Sequence, residues 1–239
     1  MTILLLCSSI YAFSAYSYES LQNRLNETIK YRSLRLVDYT PTIPQSAYQK
    51  AAKGYVATGL DDTVGWGVAV FEVPINELWR GINHELHHTG LTPVSHTEII
   101  KGTPCSDGRW VLMEMPIPLI TDRWWITEQL TAPNLFLSSQ GVVRELSWKE
   151  VKEKTPLNPS QKERYADMIQ VPSTRGAWLL ISLDNTHTLA EYHSKVDPGG
   201  YLPVGPSSNL AVFGLEQTFT AMEQYAQNPK PESCHMPTP

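Results

Sequence analysis

The chain has 239 residues and a formal net charge of −5 at pH 7, long enough to bury a sizeable core as one large domain or two small ones. Without any block of Lys and Arg, this acidic balance excludes a nucleic-acid surface, which needs clustered positive charge. Seven Trp and eleven Tyr point to a broad apolar interior with polar handles.

Residues 1–15, MTILLLCSSIYAFSA, are uncharged and apolar over the length of a secretory h-region, and Ala12 and Ser14 offer the small residues of a cleavage site. A basic n-region is missing. The expectation is a signal peptide and a secreted or periplasmic protein; an unprocessed leader would leave it cytoplasmic. No other run is long enough to span a membrane. Cys105 in a loop and Cys234 in the tail imply no disulfide framework and do not fix the compartment.

Residues 21–36 and 45–53 read as helices, the second stopped by Gly54. GWGVAVFEV, residues 65–73, is β-branched and aromatic and reads as a strand ended by Pro74. That proline also suits the first turn of a helix, in which Ile75, Leu78, Trp79, Ile82 and Leu86 form an apolar face until Gly90 and Pro93 break it. Strands are then expected at 96–101, 109–115, 122–131, 135–137, 142–148, 177–183 and 188–196, separated by Gly, Pro, Asn and Ser turns. With no helices between them to make crossovers, the sheet should be antiparallel. Residues 149–172 are charged and Pro-interrupted, and read as a surface insertion of loop plus short helix.

Asp197-Pro198-Gly199-Gly200 stops the last strand. Gly205-Pro206-Ser207-Ser208 then starts a helix over 209–227, with Ser207 or Ser208 as N-cap. Val212, Leu215, Phe219, Met222 and Ala226 fall on one stripe of that helix, and Asn209, Glu216, Glu223 and Gln227 on the other side. Asn228-Pro229 ends it, and residues 228–239 read as a frayed tail.

His84-Glu85-Leu86-His87-His88 matches HExxH, in which two histidines one turn apart ligate zinc and the glutamate works on a water. Counted at about 100° per residue, His84 and His88 fall opposite the apolar face. The helix also stops one turn later, and Val94 stands where the extended motif needs a third histidine. A solvated helix face is therefore expected, with a zinc hydrolase as a rival reading. In Asp122-Arg123-Trp124-Trp125 the two tryptophans must point to opposite faces, so one can line a cavity while the other packs under a helix. Arg123 shares the Trp125 face and could pair with Glu145 or Glu191, or anchor a ligand head group. Tyr192 shares a face with the small Ala190 and Ser194, which leaves room for a ligand at its hydroxyl. His193, on the alternate face, is a general acid or base if the protein is an enzyme. No GxSxG elbow, phosphate-cradling loop or CxxC pair is present, and no cofactor or metal is expected.

The order of elements, together with PIPLITDRWW, WLLISLD, TLAEYHSKV and above all DPGGYLP, resembles the START-type lipid-binding domain of the helix-grip, Bet v 1-like superfamily over about residues 45–227. In that family the last strand ends in an Asn/Asp-Pro-Gly-Gly turn, then Leu/Ile-Pro, then the C-terminal helix; here these are Asp197, Pro198, Gly199, Gly200, Leu202 and Pro203. The departure is the 149–172 insertion. Residues 16–44 then form an N-terminal helical or linker segment. The resemblance implies an α+β helix-grip fold, a curved antiparallel sheet around a long C-terminal helix with a hydrophobic cavity between them. It also implies one apolar ligand, such as a sterol, phospholipid, ceramide or polyketide-like molecule, and transient contact with a membrane surface. The ligand candidates are Arg123, Trp124, Trp125, Trp178, Tyr192, Leu215, Phe219 and Met222, with the last helix as a lid hinged at residues 197–200. The alternative on the same fold is a cyclase- or hydratase-like enzyme with His193, Tyr192 or Arg123 near the substrate.

Overall fold

A computed structural model describes residues 15–118, 120–151, 157–200, 212 and 214–228. The leader, Leu202-Pro203, the N-cap candidates Ser207 and Ser208, and the tail beyond Asn228 lie outside the described residues.

Helix α1, Tyr18–Thr28, starts where the Ser17 hydroxyl accepts from the Ser20 amide, and runs into a 3-10 turn at Ile29–Leu34. Helix α2 spans Gln45–Ala52. Strands β1, Ala57–Asp61, and β2, Val64–Phe71, form a hairpin turned at Asp62, whose φ of +54° suits a short polar side chain. The sequence pattern misses β1, because ATGLD lacks the β-branched and aromatic residues that mark a strand. Helix α3, Ile75–Asn83, and a 3-10 turn at Glu85–His87 follow. Then come β3, His96–Lys101, β4, Arg109–Met115, and β5, Arg123–Thr131. Helix α4, Pro133–Ser138, occupies the place of the strand expected at 135–137; Pro133 at its first turn begins a helix rather than a strand. The chain continues through β6, Val143–Glu150, α5, Pro159–Arg164, β7, Ile169–Gln170, β8, Ser173–Ser182, β9, Thr188–Asp197, and α6, Leu215–Gln227.

The sheet is curved and unclosed, in the order β1-β2-β9-β8-β6-β5-β4-β3 with antiparallel neighbours. The expected insertion contributes α5 and the two residues of β7, which lie parallel to β5.

Both faces of the central strands are covered, which is why β2 is buried at every residue instead of alternating. On the inner face Phe71, Trp178, Leu180 and Ala190 pack under α3 and α6. Phe219 of α6 stacks on Phe71 with ring centroids 5.8 Å apart, and lies 4.9 Å from Trp178. Gly67 permits this approach, since a Cβ there would meet the Phe219 ring at 2.8 Å. Leu215, Phe219, Met222 and Ala226 are buried and face the sheet and α3 as expected, but α6 begins at Leu215 after Gly214 in left-handed backbone, so Val212, the first residue of the expected stripe, precedes the helix.

On the outer face Val68, Val70, Leu179, Ile181 and Leu189 pack against Leu21, Ala51, Ala52 and Leu135. Two buried carboxylates also sit there. Glu191 takes Arg32 at 2.5 Å and the Tyr48 hydroxyl at 2.9 Å, and Glu145 takes Arg35. Neither is the partner of Arg123, contrary to one sequence expectation, because both point to the opposite face. Further along, Leu112, Trp124 and Ile126 pack with Tyr165, just after α5. Cys105 is disulfide-bonded, where the cysteine spacing implied no bridge. Among the described residues no helix is long and apolar enough to cross a membrane.

Candidate functional site

Period-two alternation sends Leu146 and Trp148 of β6, Trp178 of β8, and Tyr192, Ser194 and Val196 of β9 to the inner face. With Arg123 and Trp125 of β5, Met113 and Met115 of β4, and Leu215 and Thr218 of α6, they line a cavity of about 210 Å³ between sheet and helix. Its α3 end is formed by Ile82, Glu85 and His88, and by Thr92, Pro93 and Val94. Tyr192 sits edge-on to Trp178 at 4.8 Å and 5.5 Å from Trp148. Burial pushes its phenol up to about 12, so it remains a hydrogen-bond donor at neutral pH.

Arg123 is 2% exposed. Its Nε donates to the Pro198 carbonyl at 3.1 Å, Nη2 to the Gly199 carbonyl at 3.3 Å, and Nη1 to the Thr121 carbonyl. One guanidinium thus ties β5 to the turn at 197–200. Within that turn the Asp197 carboxylate accepts from the Gly199 amide at 3.0 Å. Gly199 and Gly200 take φ of +65° and +68°, and a Cβ would meet Pro172 at 2.8 Å or Ile169 at 2.7 Å, respectively. Both the backbone and the end of the insertion therefore require glycine.

Five of the eight ligand candidates, Arg123, Trp125, Trp178, Tyr192 and Leu215, line the cavity. Trp124 does not: it occupies the other face of β5 and stacks on Tyr165 at 5.1 Å. Phe219 and Met222 are core; they lie where α6 touches β2 and α3 closely enough to leave no space. Sequence reasoning missed Trp148, Met113, Met115 and Thr218. Trp148 was accessible from its spacing of two from Leu146, and the methionines from the same spacing on β4.

The HELHH stretch does not form one helix. Helix α3 ends at Asn83, and His84 takes φ −117°, ψ 74°. His84 and Glu85 are buried, at 4% exposure each, which corrects the expectation of a solvated face. The helical wheel assumed a continuous helix, whereas Arg109 of β4 draws Glu85 inward. Arg109 donates through Nε to Glu85 at 3.1 Å and through Nη2 to Glu85 and, at 2.8 Å, to Asn83 Oδ1. The His84 and His87 rings stack at 4.1 Å. His88 Nε2 lies 2.8 Å from the Gly81 carbonyl; burial pushes His88 down to about 4, so the neutral ring donates there. Among the described residues no group of three His, Cys, Asp or Glu could hold a metal ion.

His193 lies on the outer face, away from Tyr192 and Arg123, and burial, followed by Arg35, pushes it down to about 4. The trio expected of an enzyme does not converge.

In a comparison of structures the chain is similar to the human StAR-related lipid transfer protein 5, with a TM-score of 0.56 and 12% identity, over 87% of this chain and 97% of that one. It is similar to the STAR-related lipid transfer protein of Xanthomonas axonopodis, with a TM-score of 0.55 and 13% identity, over 72% of this chain and 99% of that fragment. Human STARD10 gives a TM-score of 0.51 at 17% identity, over 81% and 85%. The chain has the START-type helix-grip fold. No family model and no curated protein matches its sequence. Within this START-type fold the DPGG turn stands where the resemblance puts it, at the end of β9, and the insertion at 149–172 packs on it through Ile169 and Pro172.

Proposed function

We propose that this START-type chain binds one hydrophobic small molecule or lipid between its sheet and α6. The cavity carries the reading: Trp125, Trp148, Trp178, Met113, Met115 and Leu215 supply apolar wall, and Arg123, Tyr192, Glu85 and His88 supply polar points. Burying ligand surface against such walls contributes roughly 25 cal/mol per Å², so binding needs shape and a few anchors rather than a reactive constellation. Ligand sites run to about 300–1,000 Å³, more than the 210 Å³ here. In this proposal α6 or the turn at 197–200 moves outward to admit a lipid-sized guest, with α6 as the lid and Asp197, Pro198, Gly199 and Gly200 as its hinge. Two of the similar structures are named lipid transfer proteins, in line with the same chemistry. Native mass spectrometry of the gently purified protein tests the reading. The expected result is an apolar adduct of one molecule per chain that organic extraction removes; a chain that is always empty and takes up no fluorescent lipid overturns it.

Loading from and release to a membrane surface belongs to the same proposal, and vesicle-to-vesicle transfer of a labelled lipid checks it; no transfer above the protein-free rate contradicts it. Export is also proposed. The apolar leader motivates it, and the Cys105 disulfide supports it because such bridges persist in oxidising compartments. Sequencing the N-terminus of the exported protein should find Ala15; an intact Met1 in a cytosolic fraction contradicts it.

A further inference from the structure

Lys149, Arg175 and Lys195 stand directly opposite one another on β6, β8 and β9. All three side chains emerge on the outer face, one pleat beyond Ser147, Ala177 and His193, and all are exposed. Like charges in direct cross-strand register repel, and in a chain of net charge −5 the three are not the product of a generally basic surface. Lys149 has one counter-charge, Glu128 at 3.2 Å. Arg175 and Lys195 have no ion pair among the described residues, although Glu145 and Glu191 on the same face are both taken by Arg32 and Arg35. The row borders a groove of about 370 Å³ lined also by residues 36–39, Asp62, Ser147, Gly176 and His193. Asp62 stands two residues from Val64, the register partner of Lys195, and the Tyr39 hydroxyl is engaged by Asp61 at 2.8 Å.

We propose that this groove is a second binding site, for a phosphate group, held by Arg175 and Lys195 with Lys149 at its edge. Neighbouring strands set the cations roughly 5 Å apart, so one tetrahedral dianion can be reached by two of them. The planar fork of arginine matches phosphate oxygens two at a time. The rest of a phosphate ester has room in the groove beside the row. The site lies on the face of the sheet opposite the apolar cavity and does not depend on that cavity being filled.

Calorimetric titration of the full chain at low ionic strength with inorganic phosphate and with glycerol 3-phosphate tests the soluble source of this chemistry. Flotation with phosphatidylcholine vesicles, with and without phosphatidic acid, tests the headgroup source. The expected result is saturable binding in at least one arm, lost steeply with added salt and weakened about tenfold by Arg175→Gln or Lys195→Gln. In the absence of phosphate both variants should melt no lower than wild type, since they relieve repulsion at exposed positions. Binding in the first arm assigns a soluble phosphate ester, and binding in the second alone assigns a lipid headgroup. No binding in either arm, or binding that both variants retain, overturns the site.

Discussion

Glu85 and Arg109 show how far a single side chain can depart from its local pattern. HELHH is legible as a motif, but its burial is not, because the partner that draws Glu85 inward lies 24 residues away on β4. Removing Arg109 leaves a buried carboxylate without its cation, a loss of about 3–5 kcal/mol. Arg109→Met should therefore lower the denaturation midpoint strongly, while Glu85→Leu combined with Arg109→Met should recover part of the loss; an additive double variant would contradict the pairing. The buried histidines set a second expectation. His88 and His193 titrate near 4 in the folded protein, below the ordinary 6.5, so the unfolded chain takes up the protons first. Stability should fall as pH drops from 6.5 towards 4, measured as a falling melting temperature, and His88→Asn should flatten part of the slope. An unchanged slope in that variant would locate the titration elsewhere.

At the scale of elements, α6 was legible in its apolar stripe but not in its polar side. Glu223, expected in water, is half-buried, and burial, then the charge of Glu72, pushes its carboxyl up to about 7. Its folded pKa lies above the ordinary 4.5, so the stabilising protonated form is complete below 4.5 and lost as pH rises through about 7. Partial exposure keeps the effect small. A Glu223→Gln variant should lose this neutral-range slope in a melting series; a variant that keeps it contradicts the assignment. Phe219 anchors the same helix between Phe71 and Trp178, and Phe219→Ala should cost about 3–5 kcal/mol in denaturant titration. Gly199→Val forces a β-branched side chain into left-handed backbone and against Pro172. It should disturb ligand uptake before it unfolds the sheet, and wild-type uptake in that variant would remove the hinge role from the turn.

For the whole molecule, the succession of strands and its closing helix could be read from period-two runs and turn residues, since those signals are local. Two features could not. Strand β1 and helix α4 are short and take their identity from what they pack on. The cover of the outer face depends on ion pairs across 159 and 110 residues of sequence, Arg32 with Glu191 and Arg35 with Glu145. Alternation correctly separated Trp124 from Trp125 but could not say which of them faces the cavity. Because residues 16–36 neutralise two buried carboxylates, a chain starting at Gln45 should be much less stable than one starting at Ala15, read by chemical denaturation; equal midpoints would make that segment dispensable. The central claim, a ligand space under α6, is tested most directly by displacement of a fluorescent lipid from wild type and from Thr218→Trp, a change at a half-buried cavity-lining position. The expected result is saturable binding at one site per chain in wild type and its loss in the filled variant, with the fold intact by circular dichroism. Equal binding by both proteins, or none by wild type, would contradict it.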